Sequence, residues 1–372
     1  MKTRDVLPLL LLGLTGCAEE DPCPRTPGTL CAFMGTGFAG LGSEGQSRET
    51  SPLFLPQDVT VGPDGRVWVL DWNNHRVRAV GPDGRTETVL GSGQVGDGVE
   101  GPAREVALKQ PTHVAFDGQG RLVLSAWGNS KVMRLDAETG RLETIAGTGK
   151  RAFGGDGGPA DGAALNFPVA TAAGPDGALY IADQANQRVR KVTPEGRITT
   201  VVGTGEAGFG GDGGPALEAR LQGPAGQAAS PSGKIAVDAR GNLYIADSGN
   251  QRVRKVSPEG RITTVAGSGV EEGDIGEGVP AVEARLARPT DVAVGPDGTL
   301  YIADTDHSCV RKVTPDGRIH TVAGVCGQEG STGDNGPATA ALLWRPFGLD
   351  LGPDGTLYIA DTYNHRVRLV RP

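Results

Sequence analysis

Residues 289–323 run Pro289-Thr-Asp-Val-Ala-Val294, Gly295-Pro-Asp-Gly298, Leu300-Tyr-Ile-Ala-Asp304, a polar corner, Val310-Arg-Lys-Val313, Pro315-Asp-Gly317 and Arg318-Ile-His-Thr-Val-Ala323. Short apolar runs separated by Asp-Gly turns predict four antiparallel strands in two hairpins. The same order recurs along the chain, opened by Pro56, Pro111, Pro168, Pro224, Pro289 and Pro346 at intervals of 55, 57, 56, 65 and 57 residues. No unit has room for the crossover helix that a parallel sheet requires. A four-stranded unit repeated six times predicts an all-β, six-bladed β-propeller.

The ends of the chain fit that count. The last unit stops after its third strand, at Val367-Arg-Leu-Val-Arg-Pro372, whereas Thr29-Leu-Cys-Ala-Phe-Met34 aligns with fourth strands elsewhere. The N-terminal strand is therefore expected to complete the C-terminal blade and close the ring, which removes open sheet edges. Blade four carries about ten surplus residues, so either Pro224 or Pro231 opens its inner strand.

Composition agrees with a turn-rich chain. Sixty Gly and 26 Pro in 372 residues exceed the usual shares of about 7% and 5%. The formal net charge is −8, and an acidic surface disfavours binding to phosphate backbones. Nucleic acid is therefore not an expected partner.

Lys2 and Arg4 precede a short apolar stretch, Val6 to Leu14, which ends in Leu14-Thr-Gly-Cys17. That stretch is too short to span a bilayer and has the form of a targeting peptide. Its ending resembles the bacterial lipobox. Residues 1–16 are expected to be a lipoprotein signal peptide, Cys17 the lipidated residue, 17–27 an anchored linker and 28–372 the propeller. Ala18 favours the outer membrane, on its periplasmic or cell-surface side, with membrane contact through the lipid alone and a monomeric chain. Of the other cysteines, Cys23, Cys31, Cys309 and Cys326, the pairs Cys23–Cys31 and Cys309–Cys326 close the shortest loops of three possible pairings. A zinc site is the rival account, but no Cys-x-x-Cys is present.

Asp71-Trp-Asn-Asn-His75-Arg-Val and Asp361-Thr-Tyr-Asn-His365-Arg-Val, with the variants Asp183-Gln-Ala-Asn-Gln-Arg-Val and Asp247-Ser-Gly-Asn-Gln-Arg-Val, resemble the Asn-His-Arg-Val core of NHL repeats. The Gly-rich connections at 147–160 and 203–216 are similar to those of bacterial and teneurin-type NHL propellers. The resemblance covers residues 28–372 and implies one face of near-identical Pro-Asp-Gly turns. The opposite, variable face carries the corners and long connections, where function usually resides.

Departures from the repeat cluster on blades one and two. Two residues past the inner-strand Pro stand Asp58, His113, Ala170, Gly226, Asp291 and Gly348; after the corner Asp stand Trp72, Trp127, Gln184, Ser248, Thr305 and Thr362. Asp58, Trp72, Asn73, His113, Trp127 and Asn129 are expected to line a cleft near the pore, suited to a sugar or peptide, and Asp291 joins them as a candidate. His113, Asp58 and Asp291 are the only candidates for a calcium or zinc ion, although blades one, two and five are not all neighbours. Asp156, Asp212 and Asp334 read as turn residues rather than calcium ligands. His75 and His365 read as backbone-bonding members of the repeat.

Peptide-amidating lyases of similar architecture place zinc-binding His directly after the inner-strand Pro; here Gln57, Thr112, Val169, Ala225, Thr290 and Phe347 stand there. Asp58 and Asp291 are too few for the calcium site of lactonase-like propellers. The sequence therefore predicts an envelope-displayed, non-enzymatic scaffold that binds a protein, peptide or glycan and needs no cofactor. The alternative is a metal-dependent lyase or hydrolase centred on the channel.

Overall fold

In a computed structural model, which describes residues 23–225 and 230–372, six antiparallel sheets surround a central channel. Blade five shows the unit: Pro289–Val294 innermost, then Leu300–Asp304, Cys309–Val313 and Ile319–Ala323 outermost. Its first turn is closed by the Gly298 N–H donating to the Gly295 carbonyl at 2.9 Å. Gly298 has φ +87°, a conformation that glycine adopts without steric cost.

The ring closes as expected. Thr29–Met34 pairs antiparallel with Arg366–Val370, with Leu30 opposite Val370 and Cys31 opposite Leu369. Two short segments, Gly101–Pro102 and Gly336–Pro337, add a fifth strand to blades two and six; a two-residue strand carries no periodic signal and was not expected. Both disulfides form as predicted, Cys23–Cys31 and Cys309–Cys326. Such bonds persist in oxidising compartments, which makes this an extracytoplasmic chain. Among the described residues no helix is long and apolar enough to cross a membrane. Cys17 and residues 1–16 lie outside the described residues.

Each sheet buries apolar side chains on both faces, because each is sandwiched between neighbours. One apolar cluster lies at each of the six contacts between blades. Between blades three and four, for example, Val169, Val189 and Val202 meet Ile235, Ile245 and Ile262.

A polar motif is buried beside this core. Asp183, Asp247 and Asp361 end the second strands and meet Arg190, Arg254 and Arg368 of the third strands at 3.2–3.3 Å. The other carboxylate oxygen accepts the N–H of Asn166, Gln222 or Trp344, tying the incoming connection to the corner. Burial pushes the carboxyls of Asp71, Asp183 and Asp361 up to about 6 despite these partners. Each of the three arginines also meets a loop carboxylate, Asp156, Asp212 or Asp334. These loop aspartates, expected as turn residues, are counter-charges for buried guanidiniums. Blade two lacks the motif as a unit, with Ala126 in the Asp place and Met133 in the Arg place, both fully buried. Losing both charges together leaves neither one buried and unpaired.

Candidate functional site

The inner strands of adjacent blades splay around the channel instead of pairing with one another. Their channel-side N–H groups need other partners, and side chains from the preceding blade supply them. Asp58 accepts from Val114 at 2.9 Å, His113 Nδ1 from Thr171 at 3.4 Å and Asp291 from Leu349 at 3.0 Å. One step along the strand, Asp350 accepts from the Val61 N–H and the Thr60 hydroxyl.

Blade four supplies the group that organises this layer. Its inner strand is Ile235–Val237, with Ile235 opposite Ile245, so Pro231 rather than Pro224 leads into it. Lys234 then falls in the register of Asp291, in the place assigned from Pro224 to Gly226. Gly226 lies outside the described residues. The Lys234 ammonium donates to Asp58 Oδ1 at 2.6 Å, Asp291 Oδ2 at 3.1 Å and the Gln57 carbonyl at 3.2 Å. All three charged side chains are 5% exposed or less. Gly348 completes the layer, where a Cβ would stand 2.8 Å from Asp58 Oδ1.

The electrostatics follow from one ammonium set between two carboxylates. Burial works against the Lys234 charge, but Asp291 and Asp58 outweigh it and hold the ammonium above its ordinary range. Burial raises both carboxyls more than Lys234 lowers them. Burial, aided by the Lys234 charge, pushes His113 down to about 3. The imidazole is therefore neutral, with its proton on Nε2 because Nδ1 is an acceptor. Its 3.8 Å approach to Asp58 is too long for a hydrogen bond.

The candidate residues thus divide. Asp58, His113 and Asp291 converge across the channel although their blades are not all adjacent. Trp127 is buried and stacks on Phe167 of blade three, centroids 4.2 Å apart, with its indole N–H towards Gln184. Asn129 is buried as well, donating to the Gly96 carbonyl and accepting the Lys109 N–H. In blades four, five and six the residue after the corner Asp is Ser248, Thr305 or Thr362, whose hydroxyl reaches the carbonyl of Pro289, Pro346 or Pro56 in the next blade. That position links blades, and Trp127 does so by packing. Trp72 and Asn73 are half-buried at the blade-one corner, where the Asn73 N–H donates to Phe54. His75 and His365 accept the N–H of Gln110 and Leu55 in the following blade, as the sequence indicated.

Lys234 and Asp350 were missed. The surplus residues of blade four shift Lys234 eight places from the Pro224 register, from 226 to 234. Aligning on Ile235-Ala-Val237 against Val292-Ala-Val294, instead of on proline, would have found it.

Could the layer hold a divalent ion? Among the described residues no cluster of three His, Cys, Asp or Glu side chains is arranged to do so. The space between Asp58 and Asp291 is filled by an ammonium bonded to both. The donor set does not fit calcium or zinc while Lys234 is in place.

Six blades, five of them tied to the next by a corner histidine, glutamine or serine, define an NHL-repeat β-propeller. The repeats are of the teneurin type: the teneurin NHL domain matches residues 278–371, and the NHL repeat matches 55–80 and 230–256. Human (Homo sapiens) teneurin-1 is 30% identical over 95% of this chain, which spans only 14% of that protein's length. Among solved structures, a protein of unknown function from Bacteroides thetaiotaomicron superposes with a TM-score of 0.67 at 18% identity, covering 91% of this chain and 74% of the other. An auxiliary nutrient binding protein from the same organism gives 0.65 at 16%, covering 92% and 75%. At these identities the likeness to the two structures is one of fold.

Proposed function

We propose that this chain is a non-enzymatic binding propeller of the cell envelope, with its ligand on the variable face and its channel serving as a structural plug. The observation that carries this proposal is Lys234. A reaction centre in the channel would draw on Asp58, His113 and Asp291, and all three are already committed. Two of them neutralise a buried ammonium, and the third is a neutral acceptor for a backbone N–H. A plug of this kind offers no open coordination position, and Asp350, whose carboxyl burial pushes up to about 6, is itself committed to the Val61 N–H and the Thr60 hydroxyl. Function on this fold then falls to the corner and connection loops, whose partner is a protein, peptide or glycan.

Elemental analysis of the purified domain from Cys23 onward tests the proposal. The expected result is well under one metal ion per chain, unchanged in His113→Ala. One tightly held calcium or zinc per chain, lost in that variant, would replace the binding proposal with the metal-dependent lyase or hydrolase. Anchoring through a lipid on Cys17 belongs to the same proposal, supported by the Leu-Thr-Gly-Cys ending and the two disulfides. Radiolabelled palmitate should enter the full chain in a bacterial host and be absent from Cys17→Ser; equal labelling of both would refute it.

A further inference from the structure

Five blades are entered through a residue in the left-handed conformation: Leu55, Gln110, Phe167, Arg288 and Arg345, with φ between 47° and 56°. Such values are uncommon outside glycine. They recur here because the corner of the preceding blade captures the N–H of four of the five. Only blades five and six place a cation at this position. The Nη2 atoms of Arg288 and Arg345 both donate to Oδ1 of Asp306, each at 2.8 Å. Two guanidiniums sharing one carboxylate leave a local excess of one positive charge at this trio, in a chain whose net charge is −8. The Nε–H groups of both arginines are buried and have no acceptor among the described residues, and the Arg288 Nη1 donates to the Ser230 hydroxyl at 3.4 Å, so the donors turned outward are those of the Arg345 Nη atoms.

Aromatic rings flank this pair. The Arg345 guanidinium lies 5.1 Å from the Tyr363 ring, and Tyr363 lies 5.6 Å from Trp344. Trp344 is 39% exposed. In the other blades Phe54, Lys109, Asn166, Gln222 and Ala287 stand in its place.

We propose that Arg288 and Arg345 bind the carboxylate of an acidic sugar whose ring packs on Trp344 and Tyr363. This deepens, and rests on, the binding-propeller proposal. A guanidinium fork matches a carboxylate in shape and charge, and an indole face suits the C–H face of a pyranose. An acidic peptide offers the same charge but no such ring. Corners and connections form the patch, so a peptide finds no strand edge to extend.

The test is calorimetric titration of the full chain with trigalacturonate, its fully methyl-esterified form and triglutamate. Trigalacturonate should bind, and the ester and triglutamate at least about tenfold more weakly. Arg345→Ala and Trp344→Ala, checked for an unchanged melting temperature, should each weaken trigalacturonate by about tenfold or more. The assignment is overturned by no binding at about 10 mM, by equal binding of acid and ester, or by triglutamate binding as tightly. It is also overturned if both variants bind as the parent does, an outcome that leaves the binding-propeller proposal standing. A stoichiometric metal removed by His113→Ala would instead remove that proposal.

Discussion

Replacing Lys234 with Met keeps most of the side-chain volume and removes only the ammonium. Asp58 and Asp291 would then face each other across the channel with no counter-charge, both nearly inaccessible to water. Removing one partner of a buried ion pair costs about 3–5 kcal/mol. The protein can escape part of that cost by protonating a carboxyl, which makes the loss depend on pH. Both carboxyls already have raised values in the folded chain. A group whose folded value is raised contributes stability below its unfolded value, and the contribution disappears as pH rises through the folded one. Removing the ammonium raises these values further, so the Lys234→Met deficit should grow with pH. One extra proton held by the folded variant gives a slope of about 1.4 kcal/mol per pH unit. Between pH 8 and pH 5 most of the deficit should therefore vanish. Urea denaturation of parent and variant at both pH values measures this directly. Lys234→Met with Asp58→Asn and Asp291→Asn should return to within about 1 kcal/mol of the parent, since the amide oxygens can still accept the Val114 and Leu349 N–H groups. In the single variant the His113 imidazole, freed of the Lys234 charge, should titrate higher by NMR than in the parent. A loss below about 1 kcal/mol that does not change with pH would show that Lys234 is no buried counter-ion, and the plug argument would fall with it.

Blade two offers a separate check on the corner motif. Ala126→Asp and Met133→Arg should each cost about 2–4 kcal/mol by burying one unpaired charge. Together they should recover at least about 2 kcal/mol of the summed loss, read as a coupling energy in a double-mutant cycle; additive losses would contradict the claim that this blade lost its ion pair as a unit.

The variable face shows why part of the site was hidden. Trp72 and Trp127 attracted notice as departures from the repeat, but departure does not distinguish a ligand contact from a substitute for an inter-blade bond. Trp127 is buried against Phe167 of the next blade, in the place that Ser248, Thr305 and Thr362 fill with hydroxyl bonds. The Asp156, Asp212 and Asp334 carboxylates looked like turn residues because their arginine partners lie 34 to 42 residues away.

Sequence alone determined the features set by short-range rules: strand alternation, Asp-Gly turns, six blades, a ring closed by Thr29–Met34, and two disulfides across short loops. Each depends on hydrogen bonds and side-chain periodicity within about sixty residues, apart from the closing strand, which was found by counting. Tertiary structure decided the channel. Lys234 meets Asp58 across 176 residues and Asp291 across 57, through a register set only when Ile235 pairs with Ile245 behind the blade-four insertion. Arg288, Arg345 and Asp306 come together for the same reason. Packing whole blades around an axis makes neighbours of residues that no local pattern connects.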